Sequence, residues 1–286
     1  SGGFNFTVPN YKYTDRSLST DLSITETDQL TDSGYKSTLS NISAGTSFEQ
    51  RKNLYFSPTI AFQLENLETS STASSELKKQ EGDHYDVNLN YSLYLDKRNQ
   101  SFDTTDGYSS SFSQGIPLLS DNYTLSNQYR LNKYNQITDE MITSIKFFVS
   151  TINSFSDNKD VRISDRLTIP SKRLRGFESG KVGPVSNGNY IGGNYASGLS
   201  MATSLPDFLP QLQAVDFNLF ADIANLWGVD YNSSLDNQSN KIKSSVGISI
   251  DVSTPIGPLN FVFSQTITKS STDKTETFRF DLGTTF

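Results

Sequence analysis

Cysteine is absent from the 286 residues, which removes disulfides and thiolate metal sites at once. Histidine occurs once, at His84. Neither a Ser-His-Asp triad nor a multi-histidine metal centre can therefore be assembled. Positive charge is in deficit. The formal net charge is −7 and the isoelectric point is near 4.8, leaving no broad basic footprint for nucleic acid. No apolar run approaches the roughly 20 residues that a membrane-spanning helix requires. The glycines of "GKVGP" and "IGGN" precede strand-like sequence rather than a helix, so no dinucleotide fingerprint forms and no cofactor is expected. The paired carboxylates Asp139 and Glu140 sit at a turn and read as solvated, not as an acid–base pair. The chain is expected not to be an enzyme. No charged-then-apolar leader opens it and its first residue is Ser1, so a processed or trimmed product is expected.

What is present has a marked rhythm. Hydrophobic residues make up only 34% of the chain, yet aromatics reach 12%, and Ser, Thr and Asn are abundant. That balance fits a Ser/Thr-rich soluble β protein, or a barrel whose apolar face looks outward at lipid. The dominant period is two. In "YDVNLNYSLYL", Tyr85, Val87, Leu89, Tyr91, Leu93 and Leu95 share one face, with Asp86, Asn88, Asn90 and Ser92 on the other. "LYFSPTIAFQLE", "VDFNLFADI", "VGISIDV" and "FRFDLGTTF" repeat the scheme. Such alternation makes strands with one apolar and one wet surface. Candidate strands fall near 4–9, 16–26, 34–49, 53–67, 83–97, 106–117, 121–136, 139–154, 194–206, 214–227, 241–253, 258–269 and 275–286. Many are long enough to cross a bilayer at the usual tilt of about 45°.

Connections such as "TDG" and "TPIGP" are short, and others such as "ETSSTASSELKKQEGD" are long and polar. Short turns at one end and long loops at the other is the asymmetry of outer-membrane barrels. No helical period competes and no linker divides residues 1–286, so one domain is expected. The fold class is all-β, a transmembrane antiparallel up-and-down barrel. About thirteen strands is an odd tally, and bacterial single-chain barrels usually have an even number. An unclosed sheet in lipid would leave unpaired backbone groups, so the tally implies a miscount or a missing part. Trp227, at a strand end near Tyr231, suits an interfacial aromatic belt.

The loop "LRGF", residues 174–177, followed by "GP" and "GGN", resembles the Omp85 superfamily of outer-membrane barrels, most closely its outer-membrane assembly branch. "FADIA" looks like that family's F-x-D-x-G strand motif, and "TPIGPL" is similar to its tight turn near the C-terminus. The resemblance implies that the loop folds into the lumen and that Arg175, with Gly176 and Phe177, meets an acidic group on the inner wall. Asp222 stands where that group should lie. Alternation independently turns Asp222 inward, with Asp216 and Asn218 and opposite Phe217, Leu219 and Ile223. An arginine's fork of donors suits a carboxylate, while the plainer reading is a solvated arginine in a mobile loop. Ala224 replaces the motif glycine. The strand after the loop offers only Ala202 and Thr203 where relatives carry a second acid, which argues against a clamp of several carboxylates.

The terminal "FRFDLGTTF" resembles the C-terminal signal of outer-membrane proteins. Phe278, Phe280, Leu282, Gly283 and Phe286 form the expected seam strand, an edge open to strand addition. The family barrel has sixteen strands and the motifs start this chain at about the fourth. The first strands and the periplasmic POTRA repeats are expected to lie outside this sequence. The implied function is folding and insertion of barrel proteins through a lateral seam. Implied partners are unfolded outer-membrane β-barrel proteins, assembly-complex lipoproteins, periplasmic chaperones and outer-membrane lipid. A two-partner-secretion translocator, a plain porin and a soluble lectin-like sandwich stand as rivals.

Overall fold

Strict alternation over ten to seventeen residues leaves a chain little choice but extended structure, because any helix would scatter the apolar side chains around its axis. The computed structural model describes residues 1–205, 215–230, 235–237, 240–254 and 257–282. Eight strands come first. They are β1 (Gly2–Val8), β2 (Arg16–Gln29), β3 (Tyr35–Arg51), β4 (Leu54–Thr69), β5 (Gly82–Asp96), β6 (Gly107–Ser120), β7 (Thr124–Gln136) and β8 (Ile142–Ser154). A 40-residue excursion, 155–194, holds the two-residue strands β9 (Val185–Ser186) and β10 (Asn189–Tyr190). β11 (Tyr195–Ser204), β12 (Val215–Trp227), β13 (Lys243–Thr254), β14 (Gly257–Thr268) and β15 (Phe278–Leu282) complete the series.

Thirteen of these strands form one antiparallel sheet in simple sequence order, β8 being followed directly by β11, while β9 and β10 pair only with each other. Each strand expected from the sequence has a counterpart among the described residues, the last over Phe278–Leu282; positions 206, 214 and 283–286 of those expectations lie outside the described residues. β1 and β15 are the margins, and among the described residues each has a single neighbouring strand. A one-turn helix, α1 (Ser75–Lys78), capped by the Ser74 hydroxyl, sits in the 70–81 loop where only coil was expected. "TDG" does not make a short turn. It ends a ten-residue connection, 97–106, tied down by Arg98 forking onto Asp96 at 2.7 and 2.9 Å.

The two faces of the sheet are inverted relative to a soluble sandwich. Ile60, Phe62, Leu64, Leu219, Ile223, Val246, Ile248 and Phe263 are all exposed on the outer face. Asp86, Ser150, Asp222, Ser245 and Ser249 are buried on the inner one. Outward greasy side chains in register around twelve strand pairings require a hydrocarbon solvent. The lumen, however, is not uniformly polar. Phe148, Ala196, Ala224 and Leu226 on the wall pack with Ile169, Leu174, Phe177 and Val182 of the long loop. A second apolar cluster, Leu67, Ala73, Leu77, Ile163 and Ile191, lies where the 70–81 loop meets the same excursion. The loop supplies the barrel with an interior.

Candidate functional site

Three strands and the long loop converge on Arg175. Its Nε donates to Asp222 Oδ2 at 2.7 Å and its Nη2 to Asp222 Oδ1 at 2.7 Å. Its own backbone N–H adds a third bond to the carboxylate at 3.0 Å. Two parallel charge-assisted bonds with a fixed fork are the strongest arrangement this pair of groups can adopt. Asp222 has no exposed surface at all, so these donors are its solvent. Ser200 is the direct cross-strand neighbour of Asp222 in the β11–β12 register. Its hydroxyl donates to Asp222 Oδ1 at 2.7 Å and accepts from Arg175 Nη2 at 3.0 Å. The residue that completes the clamp is therefore this hydroxyl. Ala202 pairs with Phe220, and Thr203, on the outer face, bonds Thr143. Above the pair, the Arg175 guanidinium lies 3.6 Å from the centroid of the Phe220 ring, adding a cation–π contact.

Local backbone geometry allows this seat. Gly176 has φ = +86°, and a Cβ there would meet Ser245 Cβ and Ser264 Cβ at 3.2 Å. Gly247 leaves the space that the Phe220 ring fills, since a Cβ would lie 2.6 Å from its edge. A register shift between Ser244 and Ser245 aims the Ser245 hydroxyl at the Arg175 carbonyl, to which it donates. Phe177 is 1% exposed and bridges to Thr275 beyond β14. Flanking bonds run from Glu178 N to Lys274 O and from Glu276 N to Gly176 O, each 3.1 Å. Gly176→Ala is expected to destabilise the seated loop by about 1–3 kcal/mol, the cost of forcing an alanine into left-handed backbone. Loss of protection of the loop from protease, with the sheet intact, would be the readout.

A second attachment escaped the sequence. Arg162, 5% exposed at its side chain, reaches the opposite wall from the same loop. Its Nη2 pairs with Asp86 on β5, and Nε lies 3.7 Å from Glu65 on β4 and 3.2 Å from Asp165. Nη1 faces Asp121 at 3.7 Å. The carboxylates are themselves held. Ser37 donates to Glu65 at 2.5 Å, Ser120 donates to Asp86, and His84 Nδ1 bonds Asp121 at 2.6 Å. His84 is thus part of this network, near the start of β5, rather than a lone ornament. Burial pushes the Asp165 carboxyl up to about 6, Arg162 pulling it down and Glu65 and Asp86 adding to the rise. Glu65 and Asp86 fall on the inward parity of their strands, which is legible. That one arginine 76 residues downstream of Asp86 would find both is not.

Of the seam residues, Phe278, Phe280 and Leu282 are exposed on the outer face of β15. Phe278 and Phe280 pack on Phe263 and Phe261 of β14 with ring centroids 5.1 Å apart. Gly283 and Phe286 lie outside the described residues. So does Tyr231; Trp227 stacks instead on Tyr195 at 5.8 Å. Asp139 and Glu140 are exposed in the 137–141 turn. Among the described residues no group of three or more His, Asp or Glu side chains is arranged to hold a metal ion, the carboxylates around Arg162 included.

Comparison with known proteins agrees with this architecture. The model of the Omp85 superfamily domain matches residues 1–286. The outer membrane protein assembly factor BamA of Neisseria meningitidis serogroup B is 28% identical over 141 residues, covering 40% of this chain and 17% of that protein. The crystal structure of BamA from Haemophilus ducreyi lacking POTRA domains 1–3 superimposes with a TM-score of 0.84 at 21% identity. That match covers 97% of this chain and 60% of that one. CdiB from Acinetobacter baumannii superimposes with a TM-score of 0.56 at 11% identity, covering 98% of this chain and 56% of that one. The chain thus spans about a sixth of the length of the assembly-factor relative and just over half of the chains it superimposes on.

Proposed function

Taking as premise that the chain belongs to the Omp85 superfamily and is an integral outer-membrane β-barrel, we propose that it folds and inserts other β-barrel proteins into that membrane. In this reading the work is done by the barrel wall and its margin, without covalent chemistry and without nucleotide hydrolysis. Client strands add to an open edge of the sheet by backbone hydrogen bonding, as strands do at any unpaired margin. β15, with Phe278, Phe280 and Leu282 turned to lipid, is the client-facing edge on the C-terminal side. Unfolded outer-membrane proteins are the clients. Periplasmic chaperones and assembly lipoproteins deliver them, and lipid at the seam is the solvent they enter.

The observation that carries the proposal is the double tie of the 155–194 loop. Arg175 fixes it to β12 and Arg162 to β4 and β5. A diffusion porin needs an open lumen, and this lumen is occupied by the loop. A secretion translocator, the alternative favoured by the likeness to CdiB, must pass a polypeptide through the space the loop fills. Both ties would have to break for that. An insertase needs no such opening, because its clients leave sideways. Reconstitution of the full-length protein in lipid vesicles tests this. Accelerated folding of an added unfolded barrel protein, with no steady ion conductance, is expected. Conductance without folding activity would return the porin; export of a partner protein without effect on barrel folding would return the translocator.

A further inference from the structure

Below the Arg175 seat, between the loop and strands β7, β8 and β11–β15, the lumen holds a cavity of about 610 Å³. Its charge runs against the rest of the molecule. The chain carries a net −7, yet the walls present Arg130, Lys146, Lys172, Arg173, Arg175 and Arg279 against only Asp251 and Asp281. Arg175 is spent on Asp222, and Arg279 on Glu276 and Asp281. The other four, Arg130, Lys146, Lys172 and Arg173, have no carboxylate within ion-pair distance among the described residues. Arg173 rests on the Phe148 ring at 4.5 Å. Burial, and secondarily the charge of Arg130, depresses its hold on its proton. Clustered cations that repel one another raise the energy of the seated loop, and a complementary anion would remove that cost.

We propose that this cavity is a binding site for an acidic polypeptide segment entering the lumen from the water at the short-turn end. The cations are spread over two strands and the loop rather than gathered around one point, a spacing suited to successive carboxylates along a chain and not to a single phosphate. Asn132, Ser144, Asn218 and Asn260 line the same space and offer partners for peptide N–H and C=O groups. The volume lies in the range of ordinary ligand pockets. The site rests on lumen geometry and not on the assembly reading, so its failure would leave that reading untouched.

The test uses the full-length protein in detergent micelles at low salt, titrated with a dye-labelled octaglutamate and followed by anisotropy. Saturable binding is expected, weakening as salt rises, with octaglutamine and octalysine inert. Lys146→Glu combined with Lys172→Glu should weaken it about tenfold or more. If that variant loses the heat-modifiable gel mobility of a folded barrel, Lys146→Gln with Lys172→Gln replaces it, with a loss of about threefold or more expected. A photo-crosslinking octaglutamate should label peptides from β7, β8 or residues 172–173. Absence of binding, affinity unchanged in the folded variant, labelling confined to outer loops, or equal displacement by inorganic phosphate would each overturn the proposal.

Discussion

Asp222→Ala is expected to unseat the loop at a cost of about 3–5 kcal/mol, the penalty for leaving one partner of a buried ion pair uncompensated. Four donors lose their acceptor at once, namely the Arg175 N–H, Nε and Nη2 and the Ser200 hydroxyl. Arg175, 14% exposed at its side chain, would keep only the Ser200 hydroxyl and the Phe220 ring as neighbours from this site. Arg175→Ala should cost a similar amount, because it strands a carboxylate that has no contact with water. The two losses should not add. The double variant is expected to be destabilised by little more than either single one, since each already destroys the same interaction. Urea unfolding of the protein in detergent, followed by loss of heat-modifiable mobility, measures all three. Additive losses would mean that Arg175 and Asp222 act independently.

Arg162→Met should be comparably severe, again about 3–5 kcal/mol near neutral pH, and it carries a pH signature the first variant lacks. Replacing this guanidinium by an uncharged thioether leaves Glu65, Asp86, Asp121 and Asp165 facing one another with no cation between them. The sign follows from Asp165, raised from 3.8 to about 6 even with Arg162 in place. A folded-state value above the unfolded one means that the folded protein binds the proton more tightly. Stability from this group is therefore gained as pH falls from about 6 toward 4 and is lost as pH rises through about 6. Asp165 keeps 35% of its side chain in lumenal water, which screens the effect and keeps it small in the native protein. Without Arg162 the window should widen upward and the recovery on acidification should become large. A flat profile in the variant would show that the carboxylates do not sense one another.

Strand positions were readable because lipid enforces them. A membrane wall punishes every outward polar side chain, so the apolar period stays clean and its ends fall within a few residues of the pairing limits. The misses at the ends have local causes. β7 begins at Thr124 rather than 121 because Ser120 and Asn122 close a side-chain-bonded turn there. β15 begins at Phe278 rather than 275 because Thr275 is engaged with Phe177. The inward direction of Asp222 follows from parity, and the resemblance supplied Arg175 as its partner. Ser200 could not be read, since knowing what lies opposite Asp222 requires the register of β11 against β12. Arg162 was illegible for a related reason. Its partners on β4 and β5 are brought to it only by curvature of the sheet around the loop. The apolar lumenal cluster was missed because alternation reports the sign of each face and not what the loop brings to it.

Hydrogen–deuterium exchange on the full-length protein in lipid nanodiscs tests the seated loop without altering a residue. The amides of Arg175, Glu178 and Glu276 are all bonded in the seat, so peptides spanning 174–178 and 274–278 should exchange far more slowly than the amides of the exposed Asp139 and Glu140 in the 137–141 turn. Asp222→Asn should release the first of them toward the rate of that turn. Exchange of 174–178 in the native protein as fast as the turn would contradict the account, because the guanidinium would then not be held inside the barrel.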